Sequence, residues 1–285
     1  MAFKEEPIET KKIIIISPHP DDETLGCGGT LLKHKSMGDE IYWLIMTNIS
    51  CDEGFSEERV ISRQQEIDHV VKEYGFNDIF KLNYPTIKLD QIPSGQLVQS
   101  IKNVLESVKP DVVYLPYKHD AHSDHKITFN AAVCSVKTFR YPFIKKILIY
   151  EVVSETEFGP SLQGNAFVPN SFSDISEFLE KKIKIVKLYE GEVGEHPFPR
   201  SVENLKALAT FRGATAGVKY AEARGAAVFE STDSQSDKIL FIYRLFVKDK
   251  IIQPIPEDQV SQQTMRHKLA IWYSKQLPKD HPLLK

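Results

Sequence analysis

Cysteine is scarce in this chain, and the little there is excludes a disulfide scaffold. Cys27, Cys51 and Cys134 are odd in number, lack C-x-x-C spacing and lie far apart in 285 residues, so reduced thiols are expected. Long apolar runs are also missing. Nowhere do 18 uncharged apolar residues follow one another, and Met1-Ala2-Phe3-Lys4-Glu5-Glu6 has no apolar stretch of signal-peptide length, which argues against a spanning helix or a secretory leader. A soluble cytoplasmic protein is expected. Net charge is low as well: 36 Lys and Arg against 39 Asp and Glu give −3, so there is no long-range attraction for nucleic acid or an anionic membrane. Small molecules become the default partners. Internal repeats, low-complexity segments and an evident linker are all missing.

What the chain does have is a core. With 41% hydrophobic residues it can bury substantial apolar surface. Up to about residue 150, short β-rich runs alternate with longer helical patterns, the signature of βα units on a mostly parallel sheet. Strands are expected over Lys12 to Ser17, Glu40 to Thr47, Asp78 to Leu82, Asp111 to Pro116 and Lys146 to Val152. Helical spacing of apolar residues marks Leu25 to Met37, Glu57 to Tyr74, Gly95 to Val108 and Asp124 to Thr138. The expected fold is α/β, a Rossmann-like three-layer α/β/α arrangement with a smaller C-terminal elaboration. Beyond Glu151 the alternation weakens. Ser173 to Glu190 reads as a helix capped by Ser173 or Asp174, Ser201 to Phe211 as another, Lys238 to Val247 as a strand and Glu257 to Lys275 as a terminal helix. The stretch after Glu151 is expected to wrap over the site. A main domain over 1–230 and an extension over 231–285, packed on the same domain, is the expected division.

Chemistry concentrates in two runs, each after a strand-like stretch. The first is His19-Pro20-Asp21-Asp22-Glu23; the second, about a hundred residues on, is His119-Asp120-Ala121-His122-Ser123-Asp124-His125. Carboxylates and imidazoles at buried strand ends are costly to desolvate, and a divalent cation commonly offsets that cost. His19, one of the two aspartates and a histidine of the later run would give two nitrogens and one oxygen. That donor set suits Zn²⁺ and leaves room for a water. The spare aspartate could then act as general base, while a second histidine, held protonated by Asp124, polarises a substrate. Taken singly, His34, His69, His119, His196 and His267 read as surface residues.

At these residues the chain resembles the PIG-L/LmbE-like family of zinc-dependent N-deacetylases. Pro18-His19-Pro20-Asp21-Asp22-Glu23 matches the family's [A/P]-H-P-D-D-E signature, and Gly26-Cys27-Gly28-Gly29-Thr30 its small-residue helix start. His122-Ser123-Asp124-His125 matches H-x-D-H, Thr47-Asn48 the T-N turn and Arg63-Gln64-Gln65-Glu66 the R-x-x-E. Pro169-Asn170-Ser171-Phe172-Ser173-Asp174-Ile175-Ser176, Pro199-Arg200-Ser201, Arg212-Gly213 and Tyr220-Ala221-Glu222 resemble later motifs of members acting on glucosamine conjugates. The resemblance implies one zinc per chain, with ferrous iron the second candidate, on His19, Asp22 and His125. It implies Asp21 as general base and His122, oriented by Asp124, as oxyanion stabiliser. Arg63, Asn48, Arg200 and Tyr220 would contact substrate, Tyr220 by closing over the site. The implied activity is removal of an N-acetyl group from an amino-sugar derivative. An N-acetylglucosaminyl conjugate, as in low-molecular-weight thiol biosynthesis, leads over a glycan or antibiotic sugar precursor. Ala223-Arg224-Gly225-Ala226-Ala227 departs from the family's apolar continuation, and the tail beyond it could extend the fold, cover an edge or make a homo-oligomer contact.

Other readings of the same residues are weaker. His19-x-Asp21 with a distant histidine fits the facial triad of Fe(II) oxygenases, but those ligands belong on a jelly-roll rather than on parallel βα units. Gly26-x-Gly28-Gly29 suggests a dinucleotide loop, yet Leu31 stands where the third glycine belongs and the preceding acids would repel a pyrophosphate. A thiol enzyme on Cys27 runs against the usual inertness of buried cysteine. A catalytically silent sugar-binding protein would be expected to lack a base or a ligand, and here all of them are present.

Overall fold

The computed structural model describes residues 10–160 and 164–226, and beyond them 243, 246, 247, 251–256, 259 and 261–276. It divides into two compact units, Met1–Val228 and Phe229–Lys285. The first unit is built on β1 (Lys12–Ser17), β2 (Glu40–Asn48), β3 (Asp78–Pro85), β4 (Val112–Pro116), β5 (Lys146–Tyr150), β6 (Ser171–Asp174) and β7 (Ala221–Ala226), in the spatial order β3-β2-β1-β4-β5-β7-β6. Neighbouring strands from β3 to β5 run parallel, whereas β7 is antiparallel to both β5 and β6. The helices are α1 (Asp22–Ser36), α2 (Glu57–Tyr74), α3 (Ser94–Val108), α4 (Ser123–Ser135), α5 (Leu179–Val186) and α6 (Val202–Ala216).

Four successive isoleucines, Ile13 to Ile16, are wholly buried because β1 lies mid-sheet with helices on both faces. Side chains alternate across a strand. Ile13 and Ile15 therefore join Trp43, Tyr114 and Tyr150 against α1 and α2, while Ile14 and Ile16 join Leu44, Val113 and Leu115 against α3 and α4. At about 1.5–3 kcal/mol per fully buried aliphatic side chain, this strand anchors both cores. Close approach of α1 to its neighbours depends on its glycines. A Cβ on Gly26 would lie 2.3 Å from the Tyr150 ring and one on Gly29 would lie 2.7 Å from Ile175, so these glycines serve packing.

The parallel connections place the site. Chain order moves outward from β1 to β2 and β3 on one side and from β4 to β5 on the other. The crevice at the carboxyl ends of β1 and β4 is thus a topological switch point, where open α/β sheets bind ligands. His19 to Asp22 follow β1, and Asp120 to His125 follow β4.

Later elements differ from the sequence pattern. Ser173 and Asp174 cap no helix. They end β6, which pairs with β7, and the Asp174 carboxylate accepts from Ser176 N and Oγ in a local turn. The helix begins only at Leu179. Ser201 does cap α6, accepting from Asn204 N at 3.2 Å.

The second unit contains α7 (Gln262–Gln276). Tyr243, Ile252 and Met265 form its small core, with Phe246 against Trp272. Where the pattern favours a strand over 238–247, the described residues Tyr243, Phe246 and Val247 are helical; the remainder lies outside the described residues. No helix among the described residues is long and apolar enough to cross a membrane.

Candidate metal centre and active site

Two imidazoles and one carboxylate meet at the switch point. Asp22 Oδ2 lies 3.3 Å from His19 Nδ1 and 3.3 Å from His125 Nε2. The donor atoms of His19, Asp22 and His125 all fall within 4.8 Å of one another, and Asp22 and His125 are buried. Burial works against charge here, yet Asp22 is held well below the usual carboxylate range by His125 and His19. The imidazoles respond in kind. Against burial, Asp124 and Asp22 raise His19 to about 9, and Asp22 and Asp120 raise His125 to about 10. Carboxylates thus surround both imidazoles and favour positive charge at this point, whether carried by a proton or by a cation that displaces it. A further carboxylate supports it: Asp120 Oδ2 lies 2.8 Å from His125 Nδ1, and Thr156 Oγ1 donates to Asp120 Oδ1 at 2.7 Å. Such a carboxylate fixes the ring of a ligating histidine and raises its basicity. Donor types and this support fit a divalent metal.

A second grouping, His19, His122 and Asp124, also lies within 4.8 Å, but its atoms are already engaged. Asp124 Oδ2 accepts from Ile87 N at 2.7 Å and faces His19 Nε2 at 3.1 Å, and Oδ1 accepts from Leu89 N at 3.3 Å. His122 Nδ1 accepts the Asp124 backbone N–H at 3.1 Å. That bond corrects one expectation from the sequence. Asp124 orients His122 through its main chain, and its carboxylate serves His19 and the loop after β3. Because Nδ1 must accept, the neutral His122 ring carries its proton on Nε2. Burial and the adjacent His19 charge push this imidazole down to about 4, so it is a neutral hydrogen-bond donor, where the sequence reading had a protonated one.

Asp21 sits at the start of α1 with φ of 141°, a conformation that L-residues rarely adopt. Three contacts hold it there. Glu23 Oε2 accepts Asp21 N at 3.0 Å, Tyr189 OH donates to Glu23 Oε1 at 2.7 Å, and Arg200 Nη1 donates to Asp21 Oδ2 at 2.7 Å. Burial and the Asp22 charge push the Asp21 carboxyl up to about 7, against the pull of Arg200. A carboxyl near neutrality is suited to exchanging a proton.

A cavity of about 250 Å³ opens onto His19, Asp21 and His122. Asn48, Arg63 and Arg200, expected from the sequence to contact substrate, line it together with Ile49, Phe55, Thr86, Ile87, Glu155 and Glu192. Arg63 donates to Pro20 O at 3.0 Å and to Glu192 Oε1 at 2.7 Å, with Glu66 Oε2 3.3 Å from its Nε. Tyr220 is elsewhere. Just ahead of β7, it packs against the cluster of Ile175, Leu179, Ile183 and Ala209 and is not among the residues that line the cavity. His34 is no surface residue either: its ring, 13% exposed, bridges Asp39 and the Tyr114 hydroxyl. Asp120, Glu155 and Glu192 escape the sequence pattern. Only Asp120 has a local signal, its place beside the histidine run.

Comparison with known proteins bears on the chain as a whole. Residues 14–136 match the family described as GlcNAc-PI de-N-acetylase, PIG-L. Over that span the chain is similar to the PIG-L/LmbE-like deacetylases. It is 24% identical over 225 residues to diacetylchitobiose deacetylase of Thermococcus kodakarensis, covering 75% of this chain and 82% of that one. It is 22% identical over 194 residues to a probable N-acetyl-alpha-D-glucosaminyl L-malate deacetylase 2 of Bacillus anthracis, covering 64% and 81%. Among solved structures, N,N'-diacetylchitobiose deacetylase from Pyrococcus horikoshii superposes with a TM-score of 0.62 at 25% identity, over 79% of this chain and 89% of that one. Residues 202–284 also match a domain of unknown function, DUF5062. The PIG-L match spans β1 to α4 and so includes both histidine runs, while Glu192 and Arg200 come from outside it.

Proposed function

We propose that the chain is a metal-dependent hydrolase that removes the N-acetyl group from an amino-sugar derivative, with an N-acetylglucosaminyl conjugate as the leading substrate. The observation that carries this reading is the meeting of His19, Asp22 and His125 around one point, with Asp21 beside it. Deacetylase relatives acting on diacetylchitobiose and on an N-acetylglucosaminyl malate support it. Zinc is the preferred ion on the donor set of two nitrogens and one oxygen, with ferrous iron second. When bound, such a cation supplies an acidified water and polarises an acyl oxygen.

The chain's own groups do the rest. Asp21, its carboxylate favoured by Arg200, accepts the proton of the attacking water and delivers it to the departing amine. His122 offers its Nε2–H to the oxygen that gains charge as the carbonyl carbon becomes tetrahedral. The products are acetate and a free amino sugar. The test is acetate release from a panel of N-acetyl sugars by zinc-reconstituted protein, compared with chelated protein. Release that needs metal is expected; no metal-dependent release from any of them would leave a silent sugar-binding fold.

A further inference from the structure

Glu192 belongs to neither histidine run, yet it joins the two guanidinium groups of the cavity. Its Oε1 accepts from Arg63 Nη2 and its Oε2 from Arg200 Nη1, each at 2.7 Å. The arginine side chains are 10% and 13% exposed, whereas Glu192 is 26% exposed, so the carboxylate faces the cavity more openly than the cations do. Other donors of both forks are also engaged. Arg63 reaches Pro20 O and lies beside Glu66. Arg200 donates to Ser154 Oγ at 2.7 Å and to Asp21, with Glu155 3.6 Å away.

Recognition of a substrate carboxylate or phosphate calls for a free guanidinium fork. Here an acid of the chain already fills that position, and an incoming anion would meet the Glu192 and Glu155 charges in a poorly screened pocket. We infer that Glu192 is a specificity-determining residue: it stands at Arg63 and Arg200 where an anionic substrate group would otherwise bind, so the cavity selects amino-sugar derivatives that are uncharged beyond the N-acetylated ring. This rests on the amino-sugar reading above. An uncharged partner has complementary contacts available. Sugar hydroxyls can donate to the half-buried Glu192 carboxylate, which lines the cavity, and Phe55 and Ile87, 36% and 65% exposed, offer apolar surface to the C–H face of a ring.

The experiment uses the full zinc-reconstituted chain and a matched pair, propyl N-acetylglucosaminide and its carboxyethyl analogue, with the released amine read as kcat and KM. Wild type should favour the uncharged glycoside by at least about tenfold in kcat/KM, chiefly through KM. Glu192→Gln should collapse or reverse that ratio, and Glu192→Asp, which keeps the charge, should retain it. A wild-type ratio at or below one overturns the inference, as does an unchanged ratio in Glu192→Gln. Should that variant fail to fold, the wild-type ratio alone decides. If neither glycoside is hydrolysed, the deacetylase reading fails, and calorimetric affinities for the same pair decide charge selection separately. Tighter binding of the uncharged glycoside upholds it; equal or tighter binding of the carboxylated one, or none of either, overturns it.

Discussion

Asp21 and Asp22 are neighbours with opposite environments, and the contrast divides their work. Asp22 lies between two imidazoles that stabilise its charge, while Asp21 faces Arg200 from a strained backbone and is pushed towards neutrality by burial. Asp21→Asn keeps the shape and leaves the donor set untouched. Turnover should fall by about 10²–10⁴-fold, the usual contribution of a positioned acid–base group, with metal content retained. Full turnover in a metal-loaded variant would remove Asp21 from the chemistry. Asp120 has a different place, one step behind His125. Asp120→Asn keeps an acceptor for the ring N–H but loses the charge that makes His125 a better donor, so metal should bind roughly 10–100-fold more weakly. Competition with a chromophoric chelator measures this, and unchanged affinity would reduce Asp120 to a packing residue.

Elements bring these residues together, and they differ in how plainly the sequence declares them. From β1 to β5 and α1 to α4, short apolar runs in the strands and longer apolar patterns in the helices located the elements to within a few residues. By contrast β6 and β7 carry Ser-Phe-Ser-Asp and Ala-Glu-Ala-Arg-Gly-Ala, short and nearly without large apolar side chains. What holds β7 is charge. Glu222 accepts from Gly29 N, Thr30 N and Lys182 Nζ at 2.7–2.8 Å, and Arg224 donates to Thr30 Oγ1 at 2.6 Å. Pairings across 40 to 194 residues leave no local trace, and the same is true of Glu192 at the cavity. His19, Asp21, Asp22, His122, Asp124 and His125 stood out in the sequence because each set of three falls within four residues just after a strand. Burial would raise the Glu222 carboxyl, but Lys182 and Thr30 outweigh it and hold it below the ordinary range. A depressed folded-state value means that the unfolded chain binds more protons, so this stabilisation is complete above about pH 4.3, the free-glutamate value, and fades as pH falls below it. Glu222→Gln strands Lys182 and should cost about 3–5 kcal/mol at pH 7. Urea titrations of both proteins should show that gap narrowing towards pH 3; a gap that stays constant would mean that the Glu222 charge is not its source.

For the molecule as a whole, the candidate metal centre is also a cross-link in the fold. His19 and Asp22 follow β1 and His125 follows β4, about a hundred residues later in the chain, so the unfolded polypeptide does not hold the donors together. A ligand that binds only the folded state stabilises it by mass action, by about 2.7 kcal/mol at a free concentration one hundred times its Kd. For a unit of this size each kcal/mol moves Tm by about 2–4 °C, so saturating zinc should raise Tm by roughly 5–10 °C over chelated protein. Calorimetry of the wild type with and without zinc measures the shift directly. His19→Ala supplies the control, because removing one donor should abolish most of the zinc-dependent rise. Asp21→Asn should keep it, since that side chain lies outside the donor set. Equal Tm with and without zinc in the wild type would reject the centre, and a shift that survived in His19→Ala would place the ion elsewhere in the chain.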